Sequence, residues 1–580
     1  MNEKKKLSPG WVALIVLASL AVAFAIIFPI IYCTVLKVDL KIEASQVGDS
    51  QSILVKWDSS KPVDKVSISV YHGNDLVKKE VLSSFADTYA GQRKIDAFYG
   101  KLTVKVKIEK GIYATTEKTN VNVFTDEYVI APITATLPVT MFTLSLDEVT
   151  NKGQIPTYVW FKRSGAWDWN SLPENVYPMP VADTDEFLSS GQDKMYEETS
   201  EWVKELYEMN KESKFHFYYN DYFAFGWLQA TVANGIPASN YDVVLLSDGS
   251  GSFTDINKHY DNENAVAEYA SMKAKYEKLK TQIAKNRSFD KHDRFAVGSG
   301  ELREYAYLMA NEESNVEWWL SWVANTSICP NNADFFNAIK NNPSVKEKRL
   351  SNMLKNIAPK VIDPTITDED AENIVAGRYL TEEKLKKLYK FSDDMFKAAE
   401  TQNKKIMIIL GTWSPTKPNE PYLKEYADAV KALYGDDYVY YYKGHPKYPT
   451  NTVSGKLEQI ESYGLIDVDS TIPAELLFFF NPTAVGSGYL SSTFTSLTDE
   501  RCGMLFGHSK GETLDIVYKD RLDGFITKVD KGYNSVVTTD NCFLVEFNDT
   551  TNYDFAIFNA DNNQLTYYKT NGSNFDVVTK

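Results

Sequence analysis

Apolar and polar positions alternate through residues 38–125, in runs such as "KVDLKIEAS", "SILVKWDS", "KVSISVYH", "LTVKVKIEK" and "NVNVF". A period of two sets one side of each run on a core and the other in water, which predicts strands separated by short turns. The pattern before this region is different. Lys4, Lys5 and Lys6 precede a stretch without charge from Leu7 to Leu36, whose centre reads "WVALIVLASLAVAFAIIFPIIY". About 20 such residues cross a bilayer as a helix. Beyond "VTMFTLSL" (139–146) short apolar runs alternate with longer helical ones. "KFHFYYN" (214–220) and "YDVVLLSDGSGS" (241–252) predict strands, with "MYEETSEWVKELYEMN" (195–210) as a helix before them. A charged helix follows at 264–286, with more helical sequence to about 403. "KKIMIILGTWSP" (404–415) predicts a buried strand, "YLKEYADAVKALYG" (422–435) a helix, and "DYVYYYKGHP" (437–446) a strand and turn. "SGKLEQIESYG" (454–464) is helical, "AELLFFFN" (474–481) is an apolar segment, and "TAVGSGYLSSTFTSL" (483–497) reads as strand, turn and helix start.

Strands alternating with helices imply parallel sheets. The chain therefore divides into an N-terminal segment and anchor (1–37), an immunoglobulin-like β-sandwich (38–125), two Rossmann-like α/β blocks (126–345 and 346–520), and a strand-rich tail (521–580) without an assigned place. Only the shape of the sandwich is implied, because no Cys…Trp…Cys spacing is present. Two Rossmann-like blocks facing each other enclose a cleft, and ligands of open α/β sheets bind beyond the carboxyl ends of the strands.

Composition narrows the picture. Apolar residues make up 43% and aromatic residues 13% of 580, enough for packed cores. The net charge of −16, without a basic run interleaved with aromatics, suits solubility and argues against a nucleic-acid partner. Cys33, Cys329, Cys502 and Cys542 are scattered, so neither a zinc site nor a disulfide framework is suggested; a single Cys502–Cys542 bridge stays open. The uncharged N-terminal run exceeds the apolar core of a secretory signal, so an uncleaved single-pass anchor is expected. Tyr32 is too bulky to precede a lipoprotein cleavage site at Cys33. Lysines before the span place the N-terminus in the cytoplasm and the globular domains outside.

Three groups of residues fall at predicted strand ends. Asp248 and Gly249 lie in "SDGS"; taken alone this is an ordinary Asp-Gly turn. Lys443-Gly444-His445-Pro446 combines a lysine with a histidine able to bind phosphate or move a proton near neutral pH, although such a histidine also packs or caps. Gly486, Gly488, Ser491 and Ser492 offer hydroxyls and N–H groups at a helix start, which suits an anion or a plain N-cap. No dinucleotide or Walker motif is present. "DTD" (183–185) and "DVD" (467–469) have the spacing of metal-using sugar-nucleotide transferases, but such tripeptides are common by chance and no metal is expected.

Four motifs in order, "SDGS" (247–250), "KGHP" (443–446), "PAELL" (473–477) and "LSST" (490–493), resemble those of the bacterial GT-B sialyltransferases of glycosyltransferase family 80. "LTEEKLKKLYKF…IMIILGTW" also resembles that family's entry into its second domain, and some members carry an immunoglobulin-like domain. The resemblance spans about 214–500. It implies Asp248 as catalytic base and His445 as the group on the donor phosphate. It implies Gly411, Thr412, Lys443, Gly444, Pro446, Glu475, Ser491 and Ser492 as donor-binding residues, with Glu475 on the ribose hydroxyls, and Trp413 against the acceptor sugar. CMP-sialic acid would be the donor and a galactoside-type glycan the acceptor, without a cofactor. Two departures bear on the acceptor: Ser247 stands where the family often has a second acidic residue, and Phe223 lies near a family histidine. A single leaving phosphate needs less neutralisation than a diphosphate, so one imidazole, two hydroxyls and backbone N–H groups suffice. The alternatives are a GT-B transferase using another CMP-linked acidic sugar, which could share these residues, and a surface glycan-binding protein, which would need no base.

Overall fold

A computed structural model describes residues 8–31, 38–83, 89–111, 113–162, 167–180, 190–221, 235–247, 250–286, 304–323, 328–411, 423–446, 449–450, 454–489, 493, 497, 501–508, 542–546, 555–559, 564–571 and 574–579. The chain divides into two compact units: Met1–Asp126 with Trp202–Ser213, and Glu127–Glu201 with Lys214–Lys580.

In the first unit the apolar N-terminal run is the helix Pro9–Ile31. Its span Pro9–Pro29 is exposed, and is long and apolar enough to cross a membrane; the same length and composition also suit a signal sequence. The alternating region forms seven antiparallel strands: β1 (Leu40–Gln46), β2 (Ser52–Ser59), β3 (Lys65–His72), β4 (Asp75–Ser83), β5 (Ala90–Asp96), β6 (Gly100–Lys110) and β7 (Tyr113–Val123). They make one sheet of order β1-β2-β5 and another of order β4-β3-β6-β7. The period of two has the predicted effect. Val66, Ile68 and Val70 on β3 are buried, as are Leu102, Val104, Val106 and Ile108 on β6, while the lysines between them on β6 are not. Trp202–Ser213, the second part of the helix Ser190–Met209 with the residues just after it, supplies the rest of this unit. Trp202 Nε1 donates to Tyr99 O (2.8 Å), and Glu205 Oε1 accepts from Lys101 N (2.6 Å) and lies 3.1 Å from His72 Nε2.

The second unit holds two sheets. The first contains β8 (Glu127–Thr134), β9 (Thr157–Lys162), β10 (Val176–Pro178), β11 (Lys214–Asn220), β12 (Tyr241–Leu246), β13 (Val316–Leu320) and β14 (Val345–Glu347). Its order is β10-β9-β8-β11-β12-β13-β14, parallel throughout. The second begins with β15 (Lys405–Leu410), β16 (Tyr438–Lys443), β17 (Ile466–Val468), β18 (Val485–Tyr489) and β19 (Cys502–His508). These run parallel in the order β17-β16-β15-β18-β19. Both sheets therefore grow outward from their first strand, then jump back and grow the other way. That is the Rossmann order, consistent with the GT-B expectation, and it leaves one switch point per sheet: β8/β11 and β15/β18. Ile406–Leu410 and Val439–Lys443 are buried without a break, as strands covered on both faces must be.

Three features lie outside the sequence expectations. The tail extends the second sheet: β20 (Cys542–Glu546), β21 (Phe555–Asn559), β22 (Gln564–Asn571) and β23 (Asn574–Val578) add to β19 in antiparallel succession. Its register closes the question of a Cys502–Cys542 bridge. His508 pairs with Phe543 and Leu505 with Glu546, so the two cysteines lie at opposite ends of the β19–β20 pair. That offset is about seven residues, roughly 23 Å at the usual rise, against the roughly 7 Å that a disulfide spans. Finally, "AELLFFF" is the helix Ala474–Phe480, and it is shared between cores. Leu476 and Phe479 belong to the core under the first sheet, together with Leu350, Leu354, Leu385 and Tyr389 of the connecting helices. Ala474, Leu477 and Phe478 belong to the core under the second.

Candidate functional site

At the first switch point a polar ladder replaces the apolar strand interior. Asn220, the last residue of β11, donates through Nδ2 to Thr134 O (3.1 Å) at the end of β8. Asp221 follows, fully buried. Its Oδ2 accepts from Ser252 Oγ at 2.5 Å and from Trp318 Nε1 at 3.3 Å. Buried carboxylates require such donors. Ser252 lies in the helix Ser250–Tyr260, which opens at the last residue of the "SDGS" run. Asp221 thus anchors the element that follows Asp248 in sequence. No sequence expectation fell on Asp221, although Asn220-Asp221 visibly ends an aromatic strand. Ser247, buried at the end of β12, donates its N–H to Trp319 O (3.0 Å). Asp248 itself, with Gly249 and Phe223, lies outside the described residues.

At the second sheet the strand ends bring distant segments together. Gly411 N donates to Lys443 O (2.9 Å), joining the ends of β15 and β16. Gly488 lies opposite Leu410, with φ +145°, and a Cβ there would fall 2.6 Å from Leu410 O. Only glycine lets the two backbones approach this closely at the switch point. This corrects the placing of Gly486 and Gly488 at a helix start: both glycines are inside β18, where the ladder shifts register between them.

Lys443 is buried at the end of β16. Its ammonium donates to Gly444 O (3.0 Å) and Ser470 O (2.7 Å). Burial pulls its pKa down to about 8, against the attraction of Glu475, Asp469 and Asp467. Gly444 is buried, and His445 and Pro446 are half-buried where the chain leaves the strand. Glu475 lies in the first turn of the helix Ala474–Phe480, buried, and accepts from Thr493 Oγ1 (3.1 Å). Burial raises its pKa, opposed by its own N–H, by Thr493 and by Lys443. The structure therefore groups Lys443 with Gly411, Gly444 and Ser470 by hydrogen bonds and with Glu475 by charge. Thr412, Trp413, Ser491 and Ser492 lie outside the described residues; Thr493, their neighbour in sequence, is the hydroxyl on Glu475.

In "DVD", Asp467 accepts from Thr450 Oγ1 (2.9 Å) and burial raises its pKa, while Asp469 accepts from Thr471 N and Oγ1. "DTD" (183–185) lies outside the described residues. Among the described residues no group of three or more His, Cys, Asp or Glu side chains could hold a metal ion. A separate cavity of about 250 Å³, lined by Ser145, Asp147, Lys348, Asn352 and Arg378 among others, includes none of the expected site residues.

Two parallel sheets of Rossmann order, each with buried polar groups at its switch point, define a two-block α/β protein. No protein-family model matches the chain, and no curated protein matches it in sequence. Among solved structures it is similar to a sialyltransferase from Photobacterium damsela, at 13% identity and TM-score 0.46, over 84% of this chain and 98% of that one. It is also similar to the UDP-GlcNAc 2-epimerase of Neisseria meningitidis bound to UDP-GlcNAc, at 9% identity and TM-score 0.33, over 63% of this chain and 79% of that one. A third likeness is to the glycotransferase of kitacinnamycin, at 9% identity and TM-score 0.28, over 62% and 74%.

Proposed function

We propose that the protein is a GT-B glycosyltransferase, and more narrowly an inverting, metal-independent sialyltransferase. It transfers sialic acid from CMP-sialic acid to a galactoside-type glycan, and its N-terminal helix anchors it in a membrane with the globular domains outside. One observation carries the reading. Lys443-Gly444-His445-Pro446, Gly411 and Glu475, more than 60 residues apart at the extremes, converge at the carboxyl end of one parallel sheet, beside its switch point. That is where an open α/β sheet binds a nucleotide.

In this mechanism Asp248 takes the proton of the acceptor hydroxyl as its oxygen attacks the anomeric carbon. His445 donates to the departing CMP phosphate, with Ser491 and Ser492 on the other phosphate oxygens, so the negative charge that develops is met by fixed donors. Glu475 accepts from the ribose hydroxyls, Gly411 and Thr412 line the nucleotide pocket, and Trp413 packs on the acceptor sugar. Attack opposite the leaving group inverts the anomeric centre.

The test is to incubate the protein, with residues 1–37 removed, with CMP-sialic acid and a panel of galactosides, and to compare two variants. Asp248→Ala lowers turnover roughly 100- to 10,000-fold with CMP affinity nearly unchanged. His445→Ala lowers turnover and weakens CMP binding as well. Near-normal rates in Asp248→Ala, or loss of CMP binding there and not in His445→Ala, would reverse the assignment.

A further inference from the structure

Lys443 ends β16, and the strand's burial continues onto it: only 4% of the residue is exposed. A lysine ammonium has three N–H donors. Two of them are committed to backbone carbonyls of different segments, Gly444 O in the turn that carries His445 and Ser470 O in the loop after β17. Three carboxylates also act on it: Asp469 in that same loop, Asp467 on β17, and Glu475 on the helix Ala474–Phe480. Thr450, just beyond the turn, donates to Asp467 and ties the far side of the same turn to β17. A buried ammonium costs more than an apolar side chain of equal length, and fixing geometry is a role that can offset that cost. A lysine this deeply buried, with two of its donors already used, is poorly placed to meet a ligand's phosphate.

We propose that Lys443 is a positioning residue: its ammonium ties the His445 turn to the Ser470 loop and to the helix bearing Glu475, so that the groups facing the nucleotide's phosphate and its ribose stand in one fixed relation. This rests on the CMP-donor reading above.

Calorimetry with two probes separates the possibilities. Lys443→Met should weaken CMP and cytidine alike, at least tenfold each, because the tether sets both His445 and Glu475. If CMP weakens while cytidine is unaffected, Lys443 is a phosphate ligand and the tether is wrong. Unchanged affinity for both also overturns it. A wild-type protein that binds neither probe refutes the donor reading itself, and with it the tether, which would have nothing to position. Should Lys443→Met fail to fold by circular dichroism, the wild type decides. Cytidine has no phosphate, so its affinity is blind to the His445 contact. Above about pH 8 Lys443 loses its charge but keeps two N–H donors, so the attraction to Glu475 weakens and cytidine affinity should fall in part. Affinity that stays flat to pH 10 excludes the charge tie to the helix bearing Glu475, and with it the proposal as stated.

Discussion

Replacing Gly488 by alanine probes the second switch point directly. The added Cβ would lie 2.6 Å from Leu410 O, 3.1 Å from Leu410 N and 3.3 Å from Leu410 Cβ. The first two are backbone atoms of the neighbouring strand, so no side chain can swing aside. At φ +145° an alanine also bears backbone strain of about 1–3 kcal/mol. Relief of the clash requires β15 and β18 to part at the Leu410–Gly488 pair, which forfeits one or two ladder hydrogen bonds at about 1 kcal/mol each. The expected loss is therefore about 2–5 kcal/mol. Gly435→Ala is the control. Gly435 also has positive φ (+64°), but no atom lies within 4 Å of its Cβ position, so only about 1–2 kcal/mol of left-handed strain remains. Urea unfolding of both variants, followed by tryptophan fluorescence, measures the difference. Equal shifts in the two midpoints would mean that β15 and β18 do not approach as described. Because Gly411 follows Leu410, Gly488→Ala should also weaken CMP binding, whereas Gly435→Ala should not.

Further outcomes follow from other residues. Asp221→Ala removes the buried acceptor shared by the Ser252 hydroxyl and the Trp318 indole N–H, and should cost about 2–4 kcal/mol in thermal or urea unfolding, with Ser252→Ala nearer 1; an Asp221→Ala protein as stable as Ser252→Ala would show that the carboxylate is not their common acceptor. Deleting residues 1–37 should give a protein that stays in the supernatant on ultracentrifugation of membranes, and full retention in the membrane fraction would refute a single anchor. Transfer should survive excess EDTA; activity lost in chelator and restored by magnesium or manganese would bring "DVD" and "DTD" back as metal ligands.

The parallel strands were legible because they are short and apolar without interruption: "KIMIIL" and "YVYYY" can hardly be anything but covered strands. The turn at Gly444-His445-Pro446 was legible for the opposite reason, since glycine and proline end a ladder. In the sequence Lys443 reads as a point charge for the donor's phosphate. Its burial depends on the loop at Ser470 and the helix at Glu475 folding around it, contacts made 27 and 32 residues away and invisible to local pattern. The helix Ala474–Phe480 showed no amphipathic period because it has no solvent face along most of its length; six of its seven residues are buried. The tail's strands were visible, but strand character does not say which sheet edge a strand joins.

That helix makes the two α/β blocks poor candidates for separation. A fragment beginning at Lys397 would carry Leu476 and Phe479 away from Leu354, Leu385 and Tyr389 and leave them facing water. The complementary fragment would keep a hole where they had been, and emptying a Phe side chain's place alone costs about 3–5 kcal/mol. Neither half should express as an independent soluble domain, but the two co-expressed should recombine, with Leu476 and Phe479 as the plug that one half inserts into the other.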